Sequence, residues 1–517
     1  LFSVDIKNQK IVIKTPKNRS IEDFPAHFNF GADQPIRINQ LRASLYRFAD
    51  NFSKNKASTT RATLHTLRVL NCSAPTSILE LLNRMSPTFK NNFTISEEER
   101  FDDKLNFTTQ ALLNLDESFL FIQGPPGSGK TYTTAYAIIE LMKKKKTVAV
   151  TSNSHKAINQ VLSNIDELSL KQNFSFKGLR KSSNSNKDSK YESTNIESSS
   201  SKLKFLDGDY QLLAGTKFEL SNAEYDGLLD YVFIDEAGQF SIADTIVCAQ
   251  CAKNLVLIGD PKQLDQPSSI THPGNSGLSI LDFFLANHNT VGKGLGIFID
   301  QTRRMNAKIN SFISDTFYDQ RLISHISTEK RKLIFEYNSF QKSGILTKIN
   351  MPSEGIVLIE TNHEDNSQNS EEEIVIIKKL YQFLLNQKIK DESGTRRLTQ
   401  EDLLVIAPYN VQVNNLSNQL PEGNRTGTIH RFQGQEAPVS IVSMTSSDDE
   451  NAPRGINFLF DPRSLNVAIS RAQCLSIIIM NKALFKANAN NIQQLKMINN
   501  FHTLRHYSHI MDGSLFK

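Results

Sequence analysis

Residues 119–142 read Phe-Leu-Phe-Ile-Gln-Gly124-Pro125-Pro126-Gly127-Ser128-Gly129-Lys130-Thr131-Tyr-Thr-Thr-Ala-Tyr-Ala-Ile-Ile-Glu-Leu-Met142. An apolar run of strand length enters a glycine-rich turn, and apolar residues at helical spacing follow it. Gly124 to Thr131 fits the P-loop pattern in the strand–turn–helix context that gives the pattern its meaning. Backbone N–H groups of such a turn, with the helix N-terminus, cradle phosphate oxygens. Lys130 is expected to reach the β- and γ-phosphates of ATP, and the Thr131 hydroxyl to hold Mg2+.

That chemistry requires a carboxylate at the end of a neighbouring strand. Tyr231-Val-Phe-Ile-Asp235-Glu236 supplies two, after an apolar run. Asp235 is expected to bind Mg2+ through water, and Glu236 to orient and deprotonate the attacking water.

Working outward, the texture from about Phe101 is short apolar runs alternating with helical patterns. Strands are expected at Phe119–Gln123, Thr147–Thr151, Leu212–Thr216, Tyr231–Asp235 and Leu255–Gly259. The same texture returns with Gly355–Glu360, Leu403–Ala407, Val439–Met444 and Leu475–Met480. Strands separated by helices imply parallel sheets. The expected fold class is α/β: two tandem P-loop-type domains, residues 101–290 and 291–517, behind a small basic N-terminal accessory region, residues 1–100. In that region residues 9–15 suggest a strand and 36–70 one or two helices. Residues 182–201 hold nine serines and three asparagines. So polar a stretch buries little apolar surface, and a disordered insertion is expected near 175–205.

At 517 residues the chain is long enough for about three domains. Its 39% hydrophobic content and mean hydropathy of −0.36 suit a soluble protein. No apolar run approaches the ~20 residues that span a bilayer. The chain begins with Leu and has no signal-like run, which suggests a processed product or the carboxy-terminal part of a longer chain. Four scattered cysteines exclude a disulfide-stapled scaffold and point to a reducing compartment such as a bacterial cytosol. Net charge is +5, but residues 1–70 carry twelve basic and five acidic residues, so the other 447 sum to −2. A basic module on a near-neutral body suits either a polyanionic partner or a solvated basic face.

Three other patterns read as structural. The lysines at 143–146 follow the P-loop helix, where cations favour a helix C-terminus. Cys248-Ala-Gln-Cys251 lacks the second pair a zinc or iron–sulfur site needs, since Cys72 and Cys474 do not supply it. His502, His506 and His509 have helical spacing without an acidic ligand and read as helix surface.

Further motifs set the class. Gly259-Asp-Pro-Lys-Gln263-Leu264, Gln301-Thr-Arg303-Arg304-Met305, Gly427-Thr428-Ile-His430-Arg-Phe-Gln-Gly-Gln-Glu436 and Leu465-Asn-Val-Ala-Ile-Ser-Arg471-Ala472 occur in this order. They resemble motifs III to VI of superfamily 1 helicases, in the 1B branch that includes the up-frameshift RNA helicase. Asn106-Phe-Thr-Thr-Gln110 is similar to that branch's adenine-reading motif. The resemblance covers about residues 101–480 and implies two RecA-like domains. Asn153-Ser-His155, Asp235-Glu-Ala-Gly-Gln and Ala407-Pro408-Tyr409-Asn410-Val-Gln look closest to bacterial proteins that fuse a RecB-like nuclease to a helicase. That likeness implies a nuclease domain upstream of Leu1.

Roles follow from the resemblance. It implies that Gln263 senses the γ-phosphate, and that Arg304 and Arg471, from the second domain, stabilise the transferring phosphoryl group. Glu436 would bind the ribose or couple the sites. Arg303 would stack near the adenine, although the family often has tyrosine there. Thr151, Asn153 and His155, with Pro408, Tyr409, Asn410, Thr428 and His430, would grip a nucleic-acid backbone, and residues 1–100 could stand in for the accessory 1B domain. The implied activity is ATP-dependent movement, 5′→3′, on single-stranded DNA. An RNA helicase, or an ATP-dependent clamp that remodels partners without unwinding, would use the same motifs. A metabolite kinase would need no second domain bearing arginines.

Overall fold

Phe119–Gln123 (β1) is buried at every position, which suits a central strand of a sheet covered on both faces. The computed structural model describes residues 38–56, 75–95, 101–184, 186–201, 203–265, 273–336 and 350–516, with short strands at Ser3–Asp5 and Lys10–Val12. Those two strands pair antiparallel within a separate unit, Leu1–Asn39. Everything below concerns the second unit.

Seven strands join β1: β2 (Val148–Thr151), β3 (Gly178–Lys181), β4 (Ile196–Ser199), β5 (Leu212–Ala214), β6 (Leu229–Ile234), β7 (Ala252–Gly259) and β8 (Gly296–Phe298). They form one parallel sheet in the order β8-β1-β7-β6-β2-β5-β3-β4. A second parallel sheet holds β9 (Gly355–Thr361), β10 (Leu403–Ile406), β11 (Arg425–Gly427), β12 (Ala437–Ser443), β13 (Ala472–Asn481) and β14 (His509–Asp512). Its order is β14-β9-β13-β12-β10-β11. Read from the same edge, its six strands repeat the first six of the first sheet. These are the two expected RecA-like domains.

Helices bracket the sheets: α1 (Asn39–Lys56), α2 (Phe101–Leu113), α3 (Lys130–Lys143), α4 (His155–Lys171), α5 (Ala307–Phe317), α6 (Glu371–Leu385), α7 (Asn410–Gln419), α8 (Pro462–Ser470) and α9 (Ile492–Tyr507). Of the expected 36–70 helical stretch, α1 is described, and residues 57–74 lie outside the described residues. It docks on the first domain: Arg47 pairs with Asp226 at 3.0 Å, and the Gln250 amide donates to Ser44 Oγ at 2.7 Å. Met305, Ile309, Phe312 and Ile313, around α5, belong to one apolar cluster with Phe284 of the first domain and Leu465 and Phe501 of the second. Among the described residues no helix is long and apolar enough to cross a membrane.

Three expectations are corrected. The segment expected to be a disordered insertion, near 175–205, contributes β3 and β4, the far edge of the first sheet. Ile196 is buried, and the hydroxyls find local partners: Ser189 Oγ donates to the Asn186 carbonyl at 2.6 Å, and Ser198 Oγ to that of Tyr191 at 2.8 Å. Tyr191 OH donates to Asp166 at 2.7 Å. Sheet pairing and these bonds offset an ordering cost that composition alone left unmatched. The boundary at 290 falls too early, because β8 pairs with β1 through Gly296↔Phe121 and Phe298↔Gln123. His509 lies on β14 rather than on the helix bearing His502 and His506.

Candidate nucleotide and nucleic-acid sites

At the end of β1 the chain turns through Gly124–Gly129 into α3. Gly127 and Gly129 have φ of +72° and +80°, the left-handed region that glycine enters without strain. A side chain on Gly127 would collide with Arg304, and one on Gly124 with Lys130. Lys130 Nζ folds back to donate to the Gly124 carbonyl at 2.6 Å. Ser128 Oγ is buried and has no hydrogen-bond partner. Thr131 follows in the first turn of α3, half-buried.

Asp235 follows β6, and its N–H donates to the Thr151 carbonyl at 2.9 Å. Burial first, then the charge of Glu236, raises its pKa to about 7, against the opposing pull of Lys130. A buried carboxylate beside Lys130 and the hydroxyl of Thr131 are hard oxygen donors of the kind Mg2+ takes. Glu236 itself sits at φ +53°, ψ +43°. For a non-glycine residue this conformation costs on the order of 1–3 kcal/mol, a strain that collects at functional sites.

Arginines close the other side. The Arg303 N–H donates to the Gly127 carbonyl at 2.8 Å, and Arg304 Nη1 to that of Ser470 at 3.2 Å. Glu436 pairs with Arg304 and accepts from the Gln473 amide at 2.8 Å. Arg471 ends α8 at 2% exposure, donates to the Gln435 carbonyl at 3.0 Å and leaves Nε unpartnered. Its pKa falls to about 9, first through burial and then through Arg304, with Glu236 and Glu436 opposing. Glycine loop, carboxylates and guanidiniums from both domains thus converge.

Gln263 donates its amide to Asp260 Oδ2 at 2.8 Å. The same oxygen accepts from Tyr318 OH at 2.6 Å, and Tyr318 OH accepts from the Asn466 amide at 2.9 Å. Arg463 donates to the Pro261 carbonyl at 3.0 Å and pairs with Asp265 at 2.6 Å and Asp282 at 2.7 Å. Sequence reading missed Tyr318, Arg463 and Asn466. Asn466 stands inside a quoted motif; the other two carry no local signal.

Two family models, each described as an AAA domain, match residues 107–272 and 282–483. The DNA replication ATP-dependent helicase/nuclease dna2 of Schizosaccharomyces pombe is 26% identical over 479 residues, 87% of this chain and 33% of that protein. A Regulator of nonsense transcripts 1 homolog of Drosophila melanogaster is 25% identical over 413 residues, 71% of this chain and 33% of its own length. The two AAA-domain matches fall on the two sheet-bearing domains, and the chain is similar over most of its length to these two proteins. It spans about a third of the length of these two relatives. Both are eukaryotic, where the sequence had pointed to bacterial fusions. An arterivirus helicase with DNA superposes over 74% of this chain and 63% of its own at 12% identity, with a TM-score of 0.38, too loose to bear on function.

A cavity of about 500 Å3 beside the glycine loop is lined by Lys104, Leu105, Thr108, Tyr132 and Arg303 among others. Gln110 is exposed and outside that lining, contrary to its expected adenine-reading role. At 3.6 residues per turn it stands about 200° around α2 from Thr108. Lys104 is held there by Asp300 at 2.7 Å.

The expected nucleic-acid residues divide. Pro408, Asn410, Thr428 and His430 line one cavity at the carboxyl ends of β10 and β11. Asn153 is exposed and bonds the Gln239 side chain, while His155 Nδ1 meets Arg180 Nη2 at 2.9 Å. Thr151 and Tyr409 are corrections. Thr151 is fully buried at the end of β2, and Tyr409 is 5% exposed with its ring 5.6 Å from Phe458. Strand alternation turns Thr151 inward, and apolar packing claims Tyr409.

Proposed function

We propose that this chain hydrolyses ATP between its two RecA-like domains and couples closure to 5′→3′ movement along single-stranded DNA. The observation that carries this reading is Arg471, a second-domain guanidinium buried among the charges of the first-domain phosphate cradle without an ion-pair partner among the described residues. The loop N–H groups and Lys130 bind the phosphates. Thr131 and Asp235 would hold Mg2+, which supplies charge neutralisation when bound. Glu236 takes the proton of the attacking water, and Gln263 reports the γ-phosphate. Arg304, held by Glu436, and Arg471 stabilise the charge that spreads over the phosphoryl oxygens.

His155, Asn153, Asn410, Thr428 and His430 support contacts to a strand crossing both domains. The basic first 100 residues are proposed to clamp it. DNA is favoured because one relative is a DNA replication helicase/nuclease. A nuclease domain in the full-length protein belongs to the same proposal.

Steady-state ATP hydrolysis titrated with single-stranded DNA and with RNA of matched length tests this. Stimulation by DNA alone supports the proposal, stimulation by RNA moves the substrate, and stimulation by neither removes the motor reading. Glu236→Gln is expected to bind ATP while hydrolysis falls by roughly 10²–10⁴-fold. Full turnover would remove the role given to Glu236. Hydrolysis without release of a tailed duplex would favour the clamp.

A further inference from the structure

A nucleotide whose phosphates lie on the glycine loop would set its base in the adjoining cavity of about 500 Å3. For comparison, an apolar cavity of ~150 Å3 holds a benzene ring, so a bicyclic base fits with room to turn. Lys104, Leu105 and Thr108 of α2 line it together with Ile299, and the exposed Tyr132 and Arg303 stand at its mouth. Aromatic rings and guanidinium planes stack on any base, because every base has a π-face. Selection between bases must therefore come from hydrogen bonds deeper in the cavity.

Adenine presents a ring nitrogen that accepts beside an amine that donates, whereas guanine presents two acceptors there. Reading adenine takes a carbonyl and an N–H side by side, as Gln and Asn carry them, while Lys and Arg suit guanine. None of the described residues lining the cavity is Asn, Gln, Asp or Glu, and Gln110 stands on the other side of α2. Lys104 can only donate; Asp300 holds one of its three N–H groups at 2.7 Å. The buried Thr108 hydroxyl gives its proton to the Lys104 carbonyl at 2.7 Å, which leaves only lone pairs for a base. One turn of helix thus offers a donor that suits the guanine oxygen and an acceptor that suits the adenine amine. Both groups keep their protein partners whichever purine enters. A site rejects a near-isostere strongly only where the wrong substrate leaves its buried polar groups unpaired.

We propose that the nucleotide site does not select adenine, and that GTP is hydrolysed alongside ATP with kcat/KM values within about tenfold of each other. The inference rests on the ATPase reading above and widens its substrate to purine nucleoside triphosphates. The phosphates, held by the glycine loop and Lys130, carry the recognition, and the base adds stacking without a preferred edge.

The test is steady-state hydrolysis of ATP and of GTP by the full chain, each with Mg2+ and single-stranded DNA present. Comparable kcat/KM for the two supports the inference. A preference for ATP of more than about tenfold overturns it and leaves the ATPase reading standing. Hydrolysis of neither overturns both. Thr108→Gln sets an amide on the cavity face of α2 and is expected to move the ATP-to-GTP ratio of kcat/KM towards ATP by about fivefold or more. Both substrates are read on one preparation, so the ratio does not depend on how much of the variant is folded. An unchanged ratio would overturn the assignment of this cavity to the base.

Discussion

Arg471 combines 2% exposure, a depressed pKa and an unpartnered Nε, so in the free protein it is a burden. Replacing a buried charge by an apolar side chain of similar size is often neutral or stabilising. Arg471→Met is therefore expected to leave the melting temperature unchanged or raise it, while ATP hydrolysis falls by roughly 10³-fold or more, the usual worth of such an arginine. A lower melting temperature with hydrolysis intact would show that the residue is structural. His155 offers a second test at this scale. A guanidinium only donates, so the 2.9 Å contact with Arg180 makes Nδ1 the acceptor and leaves the proton on Nε2, facing away from Arg180. Burial and then Arg180 lower the His155 pKa, with Asp188 opposing. The ring is expected to remain mostly neutral, as the Nε2–H tautomer, at about pH 6.5, where an ordinary histidine is half protonated. Nitrogen NMR of labelled histidine reads this directly, and a protonated ring at that pH would contradict it.

Elements meet through a few buried side chains. The turn after β7, the end of α5 and the first half of α8 join at Tyr318, whose hydroxyl gives a hydrogen bond to Asp260 and takes one from Asn466. Because Asp260 also holds Gln263, the expected γ-phosphate sensor and the helix ending in Arg471 share this one phenol. Tyr318→Phe removes a hydrogen bond to a charged group and is expected to cost about 1.5–3 kcal/mol of stability. The KM for ATP should change little while nucleic-acid stimulation of kcat weakens. Unaltered stimulation would show that the link is only packing. The serine-rich segment teaches the opposite lesson about elements. Its composition argues against order, yet a growing parallel edge supplied backbone partners for β3 and β4. Helix propensity and apolar patterning cannot report a partner brought from elsewhere in the chain.

The two large parallel sheets are a repeat with one side altered. After β1 the helix opens with Lys130 and Thr131, whereas after β9 the matching helix opens with Glu371, Glu372 and Glu373. Acidic residues suit a helix N-terminus but repel phosphate. Glu373 is fully buried, accepts the Thr445 N–H at 3.0 Å and lies 3.2 Å from His363 Nε2. One nucleotide per chain is therefore expected from calorimetric titration with a non-hydrolysable ATP analogue and Mg2+, and two would refute the assignment. Ligand present at a hundred times its Kd should add about 2.7 kcal/mol of stability. The Arg471→Met chain should gain less, because it cannot close on the γ-phosphate.

Sequence alone determined what depends on local chemistry. The glycine turn with Lys130 and Thr131, the strand ending in Asp235 and Glu236, and the alternation that demands parallel sheets are all contiguous patterns, and the motif order indicated the family. Tertiary structure decided what depends on residues distant in the chain. It turned Gln110 away from the nucleotide cavity, buried Thr151 and Tyr409, placed β8 in the first sheet and ordered the serine-rich edge. It also joined Tyr318, Asn466 and Arg463 to a turn some 60 to 200 residues away. Spacing along a chain reports which face a residue occupies, but not what another segment will put against that face.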